Sequence, residues 1–312
     1  MFRIARLWRG ALCAGLILVL FAGGTARAAE GKLLRWKLTP GDTLHFVITQ
    51  DMNANVKAGE DAAPMKLTNT TSMESSWKVE AVDPKGVASV TQTIERMQMK
   101  LQSPQGVMLE YDSAAGKEPE GMATMLAPMM NAMVKKPFLH KMTARGEILE
   151  MKPPQGFVES INKLSGGGAG GLFSDDMMKQ MSALGVFPEE PVTPGKTWSR
   201  KVTSKVPVLG SMTVESTFRY VGSEDRGGRT VEKIAVTMLM KLGEEKGQPG
   251  LTIKDVETDG TLLFDAAAGR LVQMQAKMKM KMSIAVGTMK IEQDMEMDQR
   301  MEPKPAETDA KK

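Results

Sequence analysis

Cysteine and histidine are nearly missing from this chain: its 312 residues hold one cysteine, Cys13, and two histidines, His45 and His140. One cysteine excludes an internal disulfide, and so few thiols and imidazoles leave little for zinc ligation or for a nucleophile with its base. No Gly-x-Ser-x-Gly elbow occurs. The glycine-rich run Gly166 to Gly171 is not followed by the Gly-Lys-Ser/Thr of a phosphate-binding loop. Carboxylates are plentiful but scattered, and Asp175-Asp176 fall in the first turn of a predicted helix, where acids favour the helix dipole without any catalytic role. The chain is therefore expected to be no enzyme and to use no cofactor. Aromatic residues are scarce too, at 5%, so aliphatic side chains must fill any core.

Long hydrophobic runs are also lacking. The most apolar stretch, Ala11 to Ala22, is about 12 residues, short of the roughly 20 that span a bilayer as a helix. Arg3, Arg6 and Arg9 precede it and Ala26-Arg27-Ala28 follows, so residues 1–28 read as a secretory signal peptide, with the mature chain starting at Ala29. No leucine stands three places before Cys13, which argues against a lipidated cysteine. Cleavage removes Arg3, Arg6, Arg9 and Arg27 from 41 basic residues and leaves 37 against 37 acidic ones. A neutral mature chain offers no electrostatic footprint for nucleic acid. The expected location is periplasmic or secreted, with no span of the membrane after cleavage.

Methionine is abundant instead, with 28 residues, and it sets the clearest pattern in the chain. From Leu271 to Met301 two segments alternate with period two. On the first, Val272, Met274, Met278, Met280, Met282 and Ile284 share one face and Lys277, Lys279 and Lys281 the other. On the second, Met289, Ile291, Met295, Met297 and Met301 lie opposite Lys290, Glu292, Asp294, Glu296 and Asp298. This predicts a long β-hairpin. A turn at Val286-Gly287 would set Lys281 against Glu292, Lys279 against Asp294, Lys277 against Glu296, Met282 against Ile291 and Met278 against Met295.

Similar strands recur along the chain. Thr39-Pro40-Gly41-Asp42-Thr43 returns as Thr193-Pro194-Gly195-Lys196-Thr197, Trp77-Lys78-Val79 as Phe218-Arg219-Tyr220, and Met97, Met99, Leu101 as Met238, Met240, Leu242. The turn Thr143 to Gly146 matches Asp265 to Gly269. The spacing between matching positions shrinks along the chain, so the first copy carries an insertion. Met122, Met125, Leu126, Met129, Met130 and Met133 predict a helix in it, kinked or restarted at Pro128. Phe157, Val158, Ile161 and Leu164 predict a second helix, and Ser174 to Gly185 a third. The expected fold is mainly β (α+β): two related antiparallel halves of long twisted strands, half-barrel or sandwich-like, with short helical insertions. The halves are placed at 33–152 and 190–301, with a helical and glycine-rich linker at 153–189 and a disordered tail at 302–312.

The paired openings Pro40-Gly41-Asp42-Thr43 and Pro194-Gly195-Lys196-Thr197 resemble those of a group of uncharacterised exported bacterial proteins, a resemblance that implies no chemistry. In architecture the expected strands and helices are similar to the open half-barrels of periplasmic lipoprotein carriers and lipid-binding proteins.

The candidate site is the methionine face itself. Met278, Met280, Met282, Met295 and Met297 form a candidate face for an apolar ligand or lipid, since methionine adapts to varied apolar shapes. The same face could serve a structural role or dock an envelope protein. One alternative is Cu(I) binding by the Met-x-Met pairs Met97/Met99, Met238/Met240, Met278/Met280/Met282 and Met295/Met297, because soft thioethers suit that ion. A hydrolase is the second alternative. His45 and His140 are both expected to be solvated surface residues.

Overall fold

The computed structural model describes residues 31–59, 61–116, 120–164, 186–206, 210–242, 251–286 and 289–304. Apolar and polar residues alternate through most of these stretches, and extended backbone satisfies its polar groups only by pairing with neighbours. Twelve strands result: β1 (Thr43–Ala58), β2 (Met65–Val82), β3 (Ala88–Ser103), β4 (Gly106–Asp112), β5 (Pro137–Met142), β6 (Ile148–Lys152), β7 (Thr197–Val206), β8 (Gly210–Arg226), β9 (Arg229–Leu242), β10 (Leu251–Asp265), β11 (Arg270–Val286) and β12 (Met289–Pro303). They form one antiparallel sheet in the order β6-β5-β3-β2-β1-β12-β11-β10-β9-β8-β7, with β4 pairing β3 beside that path. The sheet is not closed into a barrel, and β6 and β7 are the two ends of that path. Two helices accompany it among the described residues, α1 (Met122–Met133) and α2 (Phe157–Leu164). Neither helix is long and apolar enough to cross a membrane.

The two Pro-Gly openings make the same turn. Gly41 and Gly195 both take positive φ, 91° and 89°, a region that favours glycine. The Gly41 N–H donates to Val79 O and the Val79 N–H to Asp42 O, while the Gly195 N–H donates to Tyr220 O and the Tyr220 N–H to Lys196 O. Equal offsets follow, with Thr43 facing Lys78 and Thr197 facing Arg219. The order β1-β2-β3-β5-β6 then repeats as β7-β8-β9-β10-β11, and β12 lies between β1 and β11. β4 and α1 have no counterpart in the second run among the described residues. β3 pairs with β5 through its first six residues and with β4 through its last six, and α1 packs Ala123 and Met130 against Met97, Leu109 and Tyr111. The helix runs on through Pro128 without a break. Met125, expected on its apolar face, is 68% exposed.

The β11–β12 hairpin has the predicted faces at a different offset. Val286 faces Met289, so Lys281, Lys279 and Lys277 face Asp294, Glu296 and Asp298, and Met278 faces Met297, not the partners that a Val286-Gly287 turn would give. Lys279 lies 3.3 Å from Glu296 and Lys277 3.7 Å from Asp298. Moving every partner by two residues keeps lysine opposite acid and apolar opposite apolar almost throughout. Patterning therefore excludes an odd slip and is blind to an even one. The turn residues 287–288 lie outside the described residues.

Two other expectations are corrected. β12 continues past the expected end at residue 301, because Glu302 and Pro303 pair with Val47 and Phe46, and the Lys304 N–H donates to His45 O. His140 is 3% exposed rather than solvated: pairing of β5 with β3 and β6 turns Phe138, His140 and Met142 inward and leaves Leu139 47% exposed. The signal peptide, the glycine-rich link, the third helix and the tail from residue 305 onward lie outside the described residues.

The main core sits where residues 31–38 cross one face of the sheet. The Trp36 N–H donates to Ala144 O and the Lys37 N–H to Gly269 O, so this segment ties together the matching β5–β6 and β10–β11 turns. Trp36 packs edge-on against Phe264 at 5.5 Å and stacks on Trp77 at 6.3 Å, and Phe187 meets Phe264 at 4.7 Å. Few aromatics are available, and they are concentrated here.

Candidate functional site

Curvature of the sheet creates the site. Trp77 and Gln92, from β2 and β3, line the same cavity as Arg200 and Val202 of β7, although six strands lie between β2 and β7 in the sheet order. The sheet must therefore bend until these regions share one concave space. α1, with Met129 and Met133 against the main core and Met130 in the satellite cluster, covers the first half of that face, and α2 inserts Phe157 beside Phe138 at 5.7 Å. The cavity, about 400 Å³ in volume, lies over the second half.

Cross-strand rows set its lining. Phe218, Val236, Gly260, Ala276 and Gln299 follow one another from β8 to β12, and on either side run Tyr220, Ile234, Leu262, Met274, Met301 and Ser216, Met238, Thr258, Met278, Met297. Gly260 is required by close approach: a Cβ there would lie 2.8 Å from the Gln275 carbonyl oxygen. With Ala276 opposite, the row has little side-chain volume at its middle, so the floor is low there. Met212, Met238, Met240, Met274 and Met301 stand around this depression. Aliphatic side chains and thioethers dominate the wall, and the polar lining is mostly neutral: Gln92, Ser216, Thr258, Thr261, Gln275 and Gln299.

The face predicted from sequence lies next to this cavity. Met278, Met280, Met282, Met295 and Met297 are all half-buried and are not among its lining residues. Met278 shares a row with the lining residues Met238 and Thr258, which makes the two surfaces continuous. Met278 faces Met297 and Met280 faces Met295. Sequence reasoning missed Arg200, Met212 and the Gly260–Ala276 pair as site residues. Arg200 was detectable, because it interrupts the apolar positions Trp198 and Val202 of its strand. The glycine–alanine depression left no signal, since it exists only once β10 and β11 are registered.

Among the described residues, His140 and Glu232 are buried titratable groups that lie outside the cavity. Desolvation pushes the His140 imidazole down to about 4, and neither of its ring nitrogens has a hydrogen-bond partner among the described residues. Its ring meets Trp77 edge-on at 5.4 Å. Glu232, 2% exposed, accepts hydrogen bonds from the Tyr220 hydroxyl and from Ser223 Oγ. Burial and that carboxylate raise the Tyr220 phenol above its ordinary value. No three His, Cys, Asp or Glu side chains among the described residues gather as a metal site.

A family model described as a family of unknown function (DUF6263) matches residues 85–227. No curated protein matches the chain. A structure of lipovitellin concerned with lipid–protein interactions is 8% identical with a TM-score of 0.47; the match covers 86% of this chain, which spans only 25% of that one. A putative exported protein with a YmcC-like fold from Bacteroides fragilis is 9% identical, with a TM-score of 0.27 and coverage of 84% and 97%. A DUF1329 family protein from Desulfovibrio piger is 8% identical, with a TM-score of 0.15 and coverage of 80% and 83%. Likenesses this remote carry no statement about activity.

Proposed function

We propose that this protein is a non-enzymatic exported binding protein that holds an apolar ligand, or the apolar part of a lipid, against the concave face of its second half. One observation carries the reading: a cavity of about 400 Å³ walled largely by methionine and branched aliphatic side chains, within the roughly 300–1,000 Å³ usual for small-molecule sites. Methionine's flexible thioether lets such a wall fit varied chains. The predicted face at Met278, Met280, Met282, Met295 and Met297 continues it and gives longer ligands room.

Native mass spectrometry of protein from its own envelope should show a lipid-sized adduct, whereas a structural or protein-partner role predicts none. A chain carrying bromine should quench Trp77, which lines the cavity. Affinity should rise about fourfold per methylene until the cavity is full, since each buried methylene contributes roughly 0.8 kcal/mol. Ala276→Phe lays a ring over Gly260 and should weaken binding at least about tenfold while leaving stability unchanged or higher. Quenching that Ala276→Phe leaves intact would place the ligand elsewhere.

A second reading rests on the register. Met278 opposite Met297 and Met280 opposite Met295 bring four thioethers into two cross-strand pairs, an array suited to Cu(I). Met278→Leu with Met280→Leu should preserve the fold at a cost usually below about 1.5 kcal/mol. Apolar-ligand binding should survive both changes, whereas loss of tight, stoichiometric Cu(I) binding would favour the metal.

A further inference from the structure

Arg200 is the one charged side chain among the described residues lining the cavity. Period-two alternation puts it on the concave face with Trp198 and Val202, whereas Ser199, Lys201 and Thr203 take the other face of β7. It is half-buried, opposite Ser216 on β8, with Met238 one strand further. Other arginines that are partly buried have oxygen partners: Arg96 pairs with Asp112, Arg145 with Glu189, Arg270 with Asp42, and Arg35 donates to Pro188 O and Glu189 O. Arg200 has no hydrogen bond or ion pair to any described residue. A guanidinium held against an apolar wall is costly unless an anionic oxygen answers it, and the neutral hydroxyls and amides of the lining supply no such charge.

We propose that Arg200 is the head-group anchor of the cavity and that its ligand is a single-chain amphiphile ending in an oxyanion, a carboxylate or a phosphate. This rests on the apolar-cavity reading. The guanidinium fork matches either group in a bidentate pair. From Arg200 on the edge strand the chain lies across β8 to β12, over the Gly260–Ala276 depression and on toward Met274 and Met301. That path crosses five strand spacings, roughly 24 Å along the sheet, so the charged end sits at the sheet edge and the tail over the methionines.

The test compares a fatty acid, an alkyl phosphate and an alcohol of the same chain length, each brominated at the tail, by quenching of Trp77 at neutral pH and low salt. The acid, the phosphate or both should bind about tenfold or more tighter than the alcohol, as a charge-assisted pair requires. Arg200→Gln should erase that preference and leave alcohol affinity within about twofold. Arg200→Lys should keep part of it, because charge remains and the fork is lost. Which of the two anions is preferred assigns the head group. Equal, measurable affinity for all three would overturn the anchor and leave the apolar cavity standing. Binding of none would remove the cavity reading and the anchor together. A preference that persists in Arg200→Gln, with cooperative melting unchanged, would overturn the anchor and place the head group elsewhere.

Discussion

Burial of His140 makes stability depend on pH. In the unfolded chain its imidazole titrates near 6.5. In the folded protein desolvation pushes it down to about 4. Above about pH 6.5 the ring is neutral in both states and its contribution to stability is complete. As pH falls from about 6.5 toward about 4, the unfolded chain takes a proton that the folded one refuses, and roughly 3 kcal/mol is lost before the effect levels off below about pH 4. His140→Phe keeps a ring edge-on to Trp77 and removes two unpaired nitrogens. Denaturant unfolding at about pH 7.5 and about pH 5 should show the variant losing clearly less stability than the parent over that interval; parallel losses would refute the assignment. The sequence carried a partial signal of this burial: in Pro137-Phe138-Leu139-His140-Lys141-Met142 the apolar Phe138 and Met142 share His140's alternating set. The other set also holds an apolar residue, Leu139, and pairing with β3 and β6 made the set of His140 the inward one.

At the scale of the hairpin, Lys279 and Glu296 are the pair that reports the register. Their ion pair is exposed at both ends, so it contributes little by itself, but reversing one charge places like charges opposite each other. Lys279→Glu should destabilise by a few tenths to about 1 kcal/mol, and Glu296→Lys in the same chain should restore much of it. A double-mutant cycle should find stronger coupling of Lys279 to Glu296 than to Asp294. The reverse order would mean the offset derived from a Val286-Gly287 turn is the true one. Patterning went as far here as its period allowed: alternation separates the lysine face from the methionine face, and a two-residue shift preserves both. β3 shows the converse: its inward positions change from Val90, Gln92 and Ile94 to Met97, Met99 and Leu101 across a bulge, an odd shift of parity that alternation makes visible in the sequence.

Across the whole molecule, one core serves both halves. Met301, 2% exposed, belongs to a cluster that includes Phe46, Trp77 and Val90 from the first run of strands and Phe218, Ile234 and Leu271 from the second. Met301→Ala should cost about 2–5 kcal/mol. Hydrogen exchange followed by mass spectrometry should show β2 and β9 losing protection together; loss confined to β9–β12 would mean the halves open independently. The sequence by itself determined the strands, their faces and the paired Pro-Gly turns, because these depend on side-chain period and on a glycine at positive φ, both local properties. Tertiary structure decided the rest. Insertion of β12 between β1 and β11, the bend that brings Trp77 within reach of one cavity with Arg200, and the low floor at Gly260 and Ala276 all arise from contacts between residues distant in the chain. Alternation says which way a side chain points, while strand order and curvature decide what it meets there.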